Sequence, residues 1–123
     1  MTHDDVTRWL DAYIDAWMTY DPDKIRGLFS EDAEYRYHPW DEPIRGREAI
    51  AASWLDGPDA PGTYAATYGA WAVDGNRAVA TGTSRYDDHT QRRTYHNVFL
   101  LEFDDDGRCR SFTEVFLQEP DAR

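Results

Sequence analysis

An α+β domain, helices first and a curved, mainly antiparallel sheet after them, is the fold class this sequence predicts, and two observations carry it. Over the first part of the chain apolar residues recur at helical spacing. From Thr63 onward the period changes to two and the breakers become hairpin turns, at Asp74-Gly75-Asn76, Asp88-His89-Thr90-Gln91 and Asp104-Asp105-Asp106-Gly107. Elements segregated in this way bury their apolar faces by laying helices over one face of the sheet. A chain of 123 residues predicts a single domain, 1–123, that buries roughly two thirds of its unfolded surface and has room for one core and one cavity.

Val6, Trp9, Leu10, Tyr13, Ile14, Trp17 and Met18 mark an amphipathic helix from about Asp4 to Tyr20. Asp21-Pro22 reads as an N-cap followed by proline at the first helical position, opening a short helix that buries Ile25, Leu28 and Phe29. Ser30-Glu31-Asp32 turns the chain. Ala33 to Tyr37 then alternate as a short strand, expected to pair at one edge of the sheet, before Pro39 and Pro43 stop the pattern. Gly46 precedes a third helix carrying Ile50 and Trp54, which Gly57-Pro58 terminates. A four-strand meander follows, near Tyr64 to Val73, Arg77 to Asp87, Arg92 to Phe103 and Arg108 to Gln118.

Lys and Arg number 13 against 24 Asp and Glu, a formal charge of −11, and no basic cluster occurs. Nucleic acid and anionic membrane surfaces are repelled by such a chain and are not expected partners. The opening MTHDDV has neither a basic segment nor an apolar run, and no stretch approaches the roughly 18 apolar residues of a membrane span, so a cytoplasmic protein is expected. Cys109 is the single cysteine, which rules out an intrachain disulfide; it reads either as a reactive thiol between Arg108 and Arg110 or as a small strand residue. His3, His38, His89 and His96 show no metal-ligand spacing and no glycine-rich phosphate loop occurs, so neither a metal nor a nucleotide cofactor is expected.

Aromatic residues make up 15% of the chain, with five Trp, eight Tyr and five Phe. They can wall a small-molecule cavity or simply fill the core. Tyr35, Tyr37, His38 and Trp40 lie within six residues beside chain breakers, as the lip of a pocket would, or as the aromatic edge of a core strand. Strand parity adds an acid. Tyr95, Asn97, Phe99, Leu101 and Phe103 share one face, taken as inward, which leaves His96 outward; Phe112, Glu114 and Phe116 share the inward face of the last strand. Glu114 thus lies between two rings and must find a partner or stay protonated. Arg85 and Asp87 share a face of the preceding strand, about 7 Å apart. If that face is the inner one, a cation and two acids converge; otherwise Arg85 only neutralises Glu114, or both lie in solvent.

The order of elements, with LFSEDAEY, the proline loop, IRGREAI and the closing FDDDGRCRSFTEVF, resembles the nuclear transport factor 2 superfamily, and most of all its SnoaL-like branch. The resemblance covers nearly the whole chain. It implies a cone-shaped fold, three N-terminal helices on a curved sheet, enclosing a deep apolar pocket, often in a homodimer formed by the outer sheet face. Relatives include cyclases, isomerases, epoxide hydrolases and proteins with no catalysis, so activity has to come from the site.

Compared with ketosteroid isomerases, Tyr13 matches the oxyanion-binding tyrosine and His38 the general base, while Phe99 stands in place of the second oxyanion acid. Compared with limonene-epoxide hydrolases, Arg85-Tyr86-Asp87 and Glu114 match the Arg-x-Asp and last-strand acid positions, Tyr35 matches a water-holding tyrosine, and Tyr37 replaces an amide. The resemblance therefore implies Tyr13, His38, Arg85, Asp87 and Glu114 as catalytic candidates. The pocket wall is expected from Trp17, Tyr35, Tyr37, Trp40, Trp54, Asn97, Phe99, Phe112 and Phe116. The expected function is binding of a small hydrophobic molecule with metal-free acid/base chemistry; the alternative is a non-catalytic ligand-binding or dimerisation module of the same fold.

Overall fold

Residues 1–120 are described in a computed structural model. The first helix, α1 (His3–Thr19), is set by a reciprocal cap. The Asp5 N–H donates to Thr2 Oγ1 at 3.1 Å and the Thr2 N–H donates to Asp5 Oδ2 at 2.8 Å, which satisfies two of the free donors at the helix start. One stripe, Val6, Trp9, Leu10, Tyr13 and Ala16, is buried. Tyr20 ends the helix in the left-handed region, at φ 50°. In α2 (Pro22–Gly27) the Asp21 carboxylate accepts from the Asp23 and Lys24 N–H groups at 2.9 and 3.4 Å, the N-cap that the Asp-Pro pair predicts.

The expected helical stripe through Phe29 is corrected. Helix α2 stops at Gly27, and Phe29 opens strand β1 (Phe29–Arg36). Glycine weakens the last turn, and the Leu28 carbonyl, which accepts from the Cys109 N–H at 2.9 Å and from Trp9 Nε1 at 3.0 Å, is held by the sheet and by α1 instead. A two-residue strand, β2 (Ile44–Arg45), precedes α3 (Arg47–Leu55), and the meander follows as β3 (Tyr64–Asp74), β4 (Arg77–Asp87), β5 (Arg92–Phe103) and β6 (Cys109–Gln118). Gly46, at φ 89°, turns the chain into α3 while its N–H donates to the Ala33 carbonyl at 2.8 Å. This is a backbone conformation few side chains tolerate.

The six strands form one sheet in the order β2-β1-β6-β5-β4-β3. All neighbours are antiparallel except β1 and β6, which run parallel. β1, expected at the edge, therefore sits one place inside it, with β2 outermost. Register shifts in β1, β3 and β6 curve the sheet over the helices. Phe99, Leu101, Phe103 and Phe112 fill the inner face against Val6, Leu10 and Ile50. Cys109 is part of this core. Burial raises its thiol to about 12 and its Sγ donates to the Ser111 carbonyl at 3.2 Å, so it is a strand residue and stays protonated.

From Ala78 to Ser84, β4 presents only small residues to the inside, Ala78, Ala80, Gly82 and Ser84, because aromatic rings from elsewhere occupy that space; Tyr86 follows on the same face. At Gly82 a β-carbon would lie 2.6 Å from Tyr68 Cδ1 and 2.8 Å from Tyr68 Cα, and closer still to the Thr67 carbonyl oxygen. Gly82→Ala is expected to cost about 2–3 kcal/mol through strand displacement. A thermal midpoint within a degree of the parent protein's would show that β3 and β4 part without cost. Among the described residues, no helix is long and apolar enough to cross a membrane.

Candidate functional site

Between the inner sheet face and helices α1 and α3 lies a cavity of about 430 Å³. Its wall is aromatic: Tyr13 and Trp17 from α1, Tyr35 from β1 and Tyr37 just after it, Trp54 from α3, Tyr68 from β3, Tyr86 from β4, Tyr95 from β5 and Phe116 from β6. With Tyr20 included, seven of the eight tyrosines line it, all but Tyr64. Rings provide apolar area while their hydroxyls supply a few polar points, the usual composition of a small-molecule site. Asp59 latches one side. Its Oδ2 accepts from Trp17 Nε1 at 3.2 Å and Tyr20 Oη at 3.1 Å, tying the loop after α3 to the end of α1.

Inside this wall runs a short polar chain. Ser84 Oγ donates to Asn97 Oδ1 at 3.0 Å, and Asn97 Nδ2 donates to Glu114 Oε1 at 2.9 Å. Asn97 can bridge because it lies opposite Phe116 on β6 and opposite Gly82 on β4, where no side chain competes. Glu114 stands opposite Phe99, and burial raises its carboxyl to about 7, against the weaker opposing effects of the Asn97 hydrogen bond and the nearby His38 charge. Burial also raises the phenols of Tyr13 and Tyr35 well above their usual value, with the Glu114 charge adding to it. At neutral pH both are uncharged hydrogen-bond donors beside an acid poised to gain or lose its proton.

The chain matches the SnoaL-like domain family over residues 10–112. It belongs to that family. Among solved structures, this SnoaL-like chain is similar to an NTF-2 like protein of unknown function from Burkholderia xenovorans LB400, at 21% identity and a TM-score of 0.72, covering 98% of this chain and 88% of that one. It is similar to Bal32a from a soil-derived mobile gene cassette at 21% identity and a TM-score of 0.72, covering 93% and 90%. It is also similar to an LEH-like epoxide hydrolase from M. tuberculosis at 18% identity and a TM-score of 0.68, covering 94% and 84%. Such likenesses establish the nuclear transport factor 2-like fold. No curated protein matches the sequence.

Of the residues singled out from the sequence, Tyr13, Trp17, Tyr35, Tyr37, Trp54, Asn97, Glu114 and Phe116 line the SnoaL-like cavity. Phe99 and Phe112 lie behind the wall, 1% and 0% exposed, as backing for its rings. His38 sits outside the lining, its Nδ1 2.9 Å from Asp41 Oδ2 and its ring stacked on Trp40, which is 80% exposed. Arg85 and Asp87, named with Glu114 as catalytic candidates on a face left open, do not converge with it, and their place in that set is corrected. Arg85 and Asp87 alternate with the inward Ser84 and Tyr86 and so point to the outer face, where Asp87 pairs with Arg92 at 3.1 Å. Tyr68, Tyr86, Ser84 and Arg93 were missed as lining residues; the inward parity of Asn97 carries Arg93, four residues earlier, to the same face.

Proposed function

We propose that this SnoaL-like protein binds a small, largely apolar carbonyl compound in the aromatic cavity and moves a proton on it with Glu114. The observation that supports this most is the Glu114 carboxyl, largely shielded from water and held by Asn97, facing a cavity walled by neutral phenols. A base that titrates near the working pH combines a useful ionised fraction with a useful driving force. Glu114 would take a proton from the carbon next to the carbonyl, leaving the electron pair on the enolate oxygen, which a Tyr13 or Tyr35 hydroxyl stabilises by donating to it. Return of the proton to a different carbon completes an isomerisation; attack of the enolate carbon on a second carbonyl of the same molecule completes a cyclisation, with the proton ending on the new alkoxide. Epoxide opening by two acids has less support, because Asp87 faces away from Glu114.

Incubation with cyclic enones and aromatic polyketide mimics in deuterated water tests the reading without knowledge of the product. Deuterium is expected to enter beside the carbonyl of a bound compound, and Glu114→Gln is expected to slow that entry by roughly 10²–10⁴-fold. Compounds that bind and exchange no faster than in buffer would instead favour the binding-module reading. Asn97→Ala removes the one hydrogen bond to the ionised Glu114 among the described residues. It should move the pH midpoint of exchange upward; an unchanged midpoint would show that Asn97 does not act on the acid. The outer sheet face, with Leu100, Val115 and Leu117 exposed, supports pairing of two copies there.

A further inference from the structure

Two consecutive arginines open β5 and face opposite ways. Arg92 points outward and pairs with Asp87 at 3.1 Å. Arg93 points into the cavity, the one basic side chain among its described lining residues. Its guanidinium lies over the Tyr86 ring, 5.5 Å from the centroid, and Nη1 donates to Tyr95 Oη at a long 3.5 Å. Nε is buried and has no partner among the described residues. Asp59 Oδ2 holds Trp17 and Tyr20. Asp88, whose charge Arg93 helps to favour, has its Oδ1 taken by the Thr90 N–H, Thr90 Oγ1 and the Gln91 N–H, and among the described residues no carboxylate forms an ion pair with the Arg93 guanidinium. A guanidinium fixed by ring stacking but short of acceptors is prepared for a planar anion, since its paired N–H groups match the two oxygens of a carboxylate.

We infer that the substrates of this pocket are amphipathic: an aromatic or fused-ring body bearing a carboxylate that docks on Arg93, with the reacting carbon held at the Glu114 end. The inference rests on the cavity being the binding site proposed above and adds the substrate class. Arg93 and Asn97 lie four residues apart on one face of β5, about 13 Å along the strand. A body of two or three fused rings with its carboxylate covers the part of that interval left between the reaching Arg93 and Asn97 side chains, and the rings of Tyr86, Tyr95 and Tyr68 line the path. The anchoring charge is specific to this spot, because the protein as a whole, at −11, repels anions.

Calorimetric titration of the whole protein with 2-naphthoate and with the neutral, nearly isosteric 2-naphthamide tests the inference. The carboxylate is expected to bind at least tenfold more tightly than the amide. In Arg93→Met, which keeps the length of the stem, that preference should vanish while the amide binds as before; Arg93→Gln serves if the first variant does not fold. Equal affinities in the parent protein, or a preference that survives both substitutions, would overturn the anchoring role and leave the cavity standing as a binding site. Binding of neither probe would overturn the cavity reading and the inference together.

Discussion

Glu114→Gln is expected to make the protein more stable above pH 7 and to abolish the proposed proton transfer. The Glu114 carboxyl is raised from 4.5 to about 7 by burial, so between those values the folded protein keeps a proton that the unfolded chain releases. Where the folded state binds the extra proton, stability falls as pH rises. The stabilising effect of the protonated acid is therefore fully present below pH 4.5 and is lost by the time pH has passed about 7, a total of about 3 kcal/mol. Glutamine keeps the oxygen that accepts from Asn97 and cannot ionise. The variant should match the parent near pH 4, exceed its stability by up to about 3 kcal/mol at pH 8, and lose the deuterium exchange described above. Parallel stability curves across this range would show that Glu114 is solvated in the folded protein.

Phe112→Ala has the largest expected cost. The ring is 0% exposed and lies between two phenols of the wall, stacked on Tyr35 at 4.5 Å with a 2° interplanar angle and on Tyr13 at 5.6 Å with 10°. It also meets Phe99 at 4.9 Å. Deleting it removes backing from three rings held by different elements, α1, β1 and β5, which cannot all close on the gap. The expected loss is about 3–5 kcal/mol, a large share of the net stability of a typical domain. Urea unfolding measures it, and a loss below about 1 kcal/mol would mean that the core collapses freely at this point. Ligand binding should weaken as well, because Tyr13 and Tyr35 would lose their fixed orientation.

The elements were legible wherever local chemistry decides them. The stripe of α1, the Asp21-Pro22 start of α2, the glycine before α3 and the hairpin turns each follow from residues adjacent in sequence. Glu114 was legible for the same reason, since it shares the parity of Phe112 and Phe116, and Phe112 is fully buried. β4 was not. From Ala78 to Ser84 its inner face is all small residues, while its β-branched Val79, Thr81 and Thr83 face out, so the usual rule that bulk marks the inside is inverted over this stretch and holds again only at the inward Tyr86. What inverts it is the Tyr68 ring crossing over Gly82 from the neighbouring strand, a tertiary fact with no local signal. Arg85 and Asp87 share the outward parity of Val79, Thr81 and Thr83, which leaves the cavity's positive charge to Arg93. Where α2 ends was hidden similarly, because Phe29 is drawn into the sheet by a partner eighty residues later, Cys109.

The proposed chemistry requires that Glu114 face the cavity as a group able to exchange a proton near neutral pH. Titration of its side-chain carboxyl carbon by nuclear magnetic resonance, in protein labelled at glutamate, addresses it directly. A midpoint near 7 that moves when a ligand fills the cavity is the expected result. A midpoint near 4.5, unchanged by ligand, would contradict it.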